Sequence, residues 1–258
     1  MTSPLLDAAF GDRPDMWPLP APADAQECWL RAVAAGGQGR YAAAFTDLAA
    51  LTRSAGSAPV SLALSTRASF LRQLGGHRSA AGWDGRALHA ADTDTAVADA
   101  LIGLAADALG VGRFTASQRL LDRAAAVVEA AGDARLPVRL EWVSAELAMV
   151  QGDGATAVEH AERAVAAAAA FTSVRHRVKS DVVLAAALCS HGELERCRAV
   201  ADAALDRTGA LGLVPLRWAL ASLLADIGSA AYTPGQVTDF RDTSADTVRD
   251  RGGVWSVR

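Results

Sequence analysis

From Asp24 to about residue 230 the chain repeats one pattern: a stretch with helical character, a turn containing glycine, and a second helical stretch. One glycine falls in the same place each time, just before the second stretch: Gly39, Gly76, Gly112, Gly152 and Gly192. Their separations of 37, 36, 40 and 40 residues are typical of helical repeat arrays. Glycine suits the place because the first helix of each pair ends there in a left-handed residue. Seven residues before each glycine stand Ala32, Ser69, Ala105, Ala145 and Ala185; five after stand Ala44, Ala81, Ser117, Ala157 and Cys197. All are small. Twelve after come Leu51, Leu88, Ala124, Ala164 and Ala204, all apolar. Small side chains at such points let two helices cross closely.

The pattern predicts about five repeats over residues 24–258, a half repeat at 213–229 and a capping helix at 235–251. In that last helix Val237, Phe240 and Val248 lie among polar residues, as a cap over the final core surface requires. Residues 1–23 carry Pro4, Pro14, Pro18, Pro20 and Pro22, and read as a Pro-rich flexible arm that either stays free or folds back on the repeats.

Composition supports an all-α reading. Hydrophobic residues are 51% and aromatics 5%, alanine is abundant, and alanine is the best helix former. The formal net charge of −4 and the lack of a dense Lys/Arg cluster argue against nucleic acid as a partner. Three cysteines suggest no disulfide framework and favour a reducing, cytoplasmic location. No apolar run approaches the roughly 20 residues of a membrane span, and no signal peptide is visible.

The segments around Gly39, Tyr41 and Ala44, around Gly112 and Phe114, and around Gly152 and Ala157 resemble the turn and second helix of the tetratricopeptide repeat. The likeness covers about residues 25–230. The period exceeds the family's ~34 residues, and the family's aromatic at the eleventh position is replaced by Ala35, Arg72, Ala108, Ala148 and Leu188. The resemblance implies a right-handed α-solenoid of antiparallel helix pairs, similar to the sensor regions of some bacterial regulators. It also implies that the first helices line a concave groove. Carried over by the glycine register, the groove residues are Trp29, Phe70, Gln73, Asp99, Arg139, Trp142, Glu146, Lys179 and Trp218. Three of the six tryptophans share one register position, where they either face the groove or pack as core.

Catalytic signatures are missing: no phosphate-binding loop, no nucleophile elbow and no His-Glu-x-x-His. Cys189, His191 and Cys197 lie close together but lack a fourth ligand, so no metal or cofactor is expected. The expected function is a non-catalytic scaffold that binds a protein or peptide partner in the groove, with Arg139 and Lys179 on a carboxylate. The alternative is a regulatory sensor module that takes a peptide or small ligand. Monomer and homo-oligomer both stay open.

Overall fold

The computed structural model describes residues 3–53 and 60–256. Among them are thirteen α-helices and no strand. They are α1 (Pro4–Phe10), α2 (Ala25–Gly37), α3 (Tyr41–Arg53), α4 (Val60–Gln73), α5 (His77–Ala90), α6 (Asp94–Gly110) and α7 (Phe114–Ala131). Then follow α8 (Arg135–Val150), α9 (Gly154–Ala169), α10 (Val174–His191), α11 (Leu194–Ala210), α12 (Val214–Ile227) and α13 (Pro234–Asp250). None is long and apolar enough to cross a membrane.

Local chemistry sets the boundaries. Side-chain oxygens of Asp24, Thr93, Asp153 and Ser173 accept from backbone N–H groups in the first turns of α2, α6, α9 and α10. Thr233 and Gln236 cap α13 reciprocally. The turns after α2, α6, α8, α10 and α12 each carry a left-handed glycine, at Gly39, Gly112, Gly152, Gly192 and Gly228. After α4 that residue is Gly75, with φ +85°, and not Gly76. Two glycines in succession made the register ambiguous by one residue. Counting from Gly75 puts Ala68, Ala80 and Ala87 at the three small positions, and all three are fully buried. Ser69, Ala81 and Leu88 are only partly so.

Consecutive helices pack on one another, and the first helices of successive repeats, α2, α4, α6, α8, α10 and α12, also touch in turn. The small positions make this approach close: Ala32, Ala105, Ala145, Ala185, Ala44, Ser117, Ala157 and Cys197 have no exposed surface.

The segment expected to be a flexible Pro-rich arm is structured. Pro4 stands at the start of α1, where its missing N–H leaves no bond unmade. Leu5, Ala8, Ala9 and Phe10 are buried against α2. The chain beyond is pinned by Gln38, whose Nε2 donates to the carbonyls of Pro14 and Met16, each at 2.8 Å. Trp17 is half exposed under the Arg40 guanidinium, 3.7 Å from the ring centroid. Prolines that would interrupt a longer helix here only bound a short one.

The two ends of the array meet. Ala42 N–H donates to the Arg251 carbonyl at 3.0 Å, Arg251 donates to the Gln38 carbonyl at 2.7 Å, and Ser256 N–H donates to the Leu74 carbonyl at 2.8 Å. Helix α13 therefore does more than cap α12. Its Val237 belongs to the core of the last repeats, while Val248 belongs to the core built on Tyr41, Leu48 and Phe70. On the same side, Val174 N–H donates to the Gly11 carbonyl at 3.1 Å, tying α10 to the end of α1.

Candidate binding chamber

Because the ends meet, the inner faces of the first helices surround a partly open central chamber of about 340 Å³. All six first helices contribute to its wall, with Phe10 from the α1 end and Trp255 from the C-terminal tail. Of the residues carried over from the resemblance, Trp29, Phe70, Gln73 and Arg139 border the chamber. So do Trp142, Glu146, Lys179 and Trp218. Asp99 lies behind the wall and is fully buried.

The tryptophans divide their two ends between packing and lining. Trp29 donates its indole N–H to Thr66 Oγ1 and Trp142 to Ser180 Oγ, each at 2.9 Å and each on the next first helix. Trp218 has no further repeat to reach and lies tilted against Trp255, with centroids 4.5 Å apart. Phe70 rests its ring on Gly36, where a Cβ would collide with it, and Gln73 Oε1 accepts from Tyr41 Oη at 2.9 Å. Those two residues hold the wall together.

The charges arrange themselves in three groups. In the first, Arg72 on α4 donates to Asp84 on α5 and, at 3.0 Å, to Asp107 on α6; both carboxylates are buried. Ser65 Oγ donates to Asp84 at 2.9 Å. Burial, aided by the neighbouring Asp84 charge, pushes Asp107 up to about 7 against the pull of Arg72. In the second, Asp99 is 2.5 Å from Arg139 and 3.6 Å from Arg135, and Arg135 also reaches Asp133 at 2.8 Å. Burial works to raise Asp99, but the Arg139, Arg135 and Arg72 charges together hold it below the usual carboxylate range. In the third, Lys179 stands 3.6 Å from Glu146 with both side chains about a third exposed, and its ammonium lies over Trp142.

Arg139 and Lys179, expected to grip a ligand carboxylate, are thus already opposed by carboxylates of the chain itself. Sequence reasoning missed Arg175. It stands in the first turn of α10, its Cδ and guanidinium lie against Gly37, and the residue lines the chamber. Among the described residues no group accepts from its buried Nε, and none forms an ion pair with it. Burial, then the Arg139 and Arg135 charges, lower it to about 10, so it stays charged at neutral pH. Beside it His176 stacks on Trp142 at 5.4 Å, and burial followed by the Arg175, Arg135 and Arg139 charges keeps its imidazole neutral. Trp255 also has a buried indole N–H with no acceptor among the described residues. No periodic signal marks either residue, because the first is placed by the ring's closure and the second belongs to the tail.

A second, more open pocket lies outside the first, between α1, α2, α8 and α10. Phe10, Trp29 and Arg135 border both. The Phe10 ring stands 5.5 Å from Trp29 and 5.9 Å from His176, and so forms part of the partition.

Away from the chamber, Cys197 is a buried filler whose thiol donates to the Ala185 carbonyl at 3.1 Å, and burial raises it to about 11. Among the described residues no group of three or more His, Cys, Asp or Glu side chains is placed to hold a metal ion. No family model and no curated protein matches the chain.

Proposed function

We propose that this chain is a non-catalytic ligand-binding module, a TPR-like array of antiparallel helix pairs in the cytoplasm whose central chamber takes a small molecule or a short peptide end. The observation that carries this reading is the contact between the two ends of the array, from Ala42 to Arg251 and from Leu74 to Ser256. That contact turns the inner face from a groove into a chamber. A volume of about 340 Å³ lies at the small end of the roughly 300–1,000 Å³ found for ligand sites. A scaffold that lays a long partner segment along an open groove finds less support, since the ends that would admit the segment are joined. The three cysteines are all free thiols, which supports a reducing compartment. The handedness implied by the resemblance, right-handed, goes with this proposal.

The test is a thermal-shift screen of neutral, anionic and cationic small molecules against the wild type and Ala106→Phe. Ala106 borders the chamber and is only partly buried, so the larger ring fills the space. Compounds that raise the melting temperature of the wild type and not of the filled variant support the chamber. A screen without such compounds, or with compounds indifferent to the filling, removes the proposal.

A further inference from the structure

The chamber's electrostatics narrow what it holds. The chain carries a formal net charge of −4, yet the wall around α8 and α10 has a surplus of positive charge. Arg135 and Arg139 share Asp99, with Asp133 as a further partner of Arg135 alone. Arg175 adds a third guanidinium, and no carboxylate among the described residues answers it. Proteins pair buried charges because an unpaired one loses its hydration without compensation. His176, neighbour to all three arginines, is neutral and adds no charge of its own.

Among the described residues two donors on this wall lack acceptors, Arg175 Nε and Trp255 Nε1. Both call for a ligand rich in acceptor oxygens. The rest of the wall mixes aliphatic side chains such as Ile102, Val143 and Val182 with aromatic ones, among them Trp142 stacked on His176 and Trp218 tilted against Trp255. Indole faces suit a flat apolar body, and a guanidinium fork suits a carboxylate or phosphate.

Resting on the chamber reading above, we propose that the ligand is a compact aromatic acid, an aryl carboxylate or aryl phosphate, whose anionic head is held by Arg175 and whose ring lies among Trp142, Trp218 and Trp255. Arg139 and Lys179 shape the field around the head but keep their own partners, Asp99 and Glu146. Arg175 supplies the hydrogen bonds that fix the head.

The experiment is titration of the full chain, followed by tryptophan fluorescence and calorimetry, with benzoate, 2-naphthoate and phenyl phosphate. Each acid is paired with a neutral analogue: benzyl alcohol, 2-naphthylmethanol and phenol. Inorganic phosphate serves as the head without the ring. For the wild type the best acid binds about tenfold or more tighter than its neutral partner, as one charge-assisted hydrogen-bonded pair provides. Arg175→Met erases that preference, and Arg175→Lys keeps part of it. Equal affinity for acid and neutral partner, or an undiminished preference in Arg175→Met, overturns the proposal. Inorganic phosphate matching the best acid overturns the aromatic half. If the thermal-shift screen yields only neutral compounds that the Ala106→Phe filling excludes, the anion fails while the chamber stands. If it yields none, both fail. Circular dichroism of the Arg175 variants verifies that they fold.

Discussion

Arg72 and Arg175 are both half-buried arginines on the wall of one chamber, and they differ in company. Arg72 is flanked by two buried carboxylates and by the Gly103 carbonyl, 3.3 Å away. Burial, with the Asp84 charge beside it, pushes Asp107 up to about 7 even against the pull of Arg72. Arg175 sits near two other guanidinium groups and has no carboxylate partner among the described residues. A cation closed in by the chain's own anions ties helices α4, α5 and α6 together. A cation left open in the same wall adds nothing to the fold and keeps its hydrogen-bonding capacity for something that enters. The difference between architecture and site therefore lies in compensation, because residue type and location are shared.

The largest effect is expected from Arg72→Met. It strands Asp84 and Asp107 in the core, and breaking such a buried group costs about 3–5 kcal/mol. Urea unfolding measures this; a loss below about 1 kcal/mol would show that Arg72 is as dispensable to the fold as Arg175 and would erase the contrast. Asp99→Asn comes next. It releases Arg135 and Arg139 from their shared partner, costs about 2–4 kcal/mol by the same reasoning, and makes the compensated part of the wall resemble Arg175. Aryl carboxylates should then bind more tightly although the protein is less stable. Calorimetry that finds weaker binding would mean that Asp99 positions the arginines for the ligand.

The proton on Asp107 gives a subtler test. A carboxyl whose folded pKa is raised favours the folded state at low pH, and that stability is lost as pH rises from its unfolded value near 4 through about 7. The wild-type stability minus that of Asp107→Asn should fall across this window and level off near pH 8. His176 acts in the opposite sense, since its lowered pKa removes stability as pH drops below about 6.5. It is present in both proteins, so it cancels in the difference. Unfolding curves of the pair at several pH values supply the measurement, and a flat difference would mean that Asp84 and Asp107 are both ionised.

Much of this molecule was legible in one dimension. Turn glycines and small residues at fixed offsets revealed the helix pairs, because close crossing demands them whatever the rest of the fold does. Trp29, Trp142 and Trp218 share a register position, and all three reach the chamber wall. The slip from Gly75 to Gly76 came from two adjacent glycines, either of which satisfies the spacing rule. Other features depend on contacts between distant parts of the chain. Proline density disguised α1, since only its packing against α2 shows that Pro4 begins a helix. Asp99 was placed correctly on its helix, but its burial beneath Arg135 and Arg139 depends on the next repeat. Arg175 and Trp255 became visible only with the meeting of the ends, across more than 200 residues in the Gln38–Arg251 contact. Periodicity describes neighbours and carries no record of such a closure.

The smallest expected effect bears most directly on the contrast between the two arginines. Replacing a paired buried charge weakens a protein; replacing an unpaired one removes a penalty and should strengthen it, here by about 1 kcal/mol, or roughly 2–4 °C in a chain of this size. The measurement is the thermal midpoint of Arg175→Met against the wild type, both without ligand. A rise of that order identifies Arg175 as a charge held open for a bound anion, and a fall of similar size would show that it supports the fold as Arg72 does.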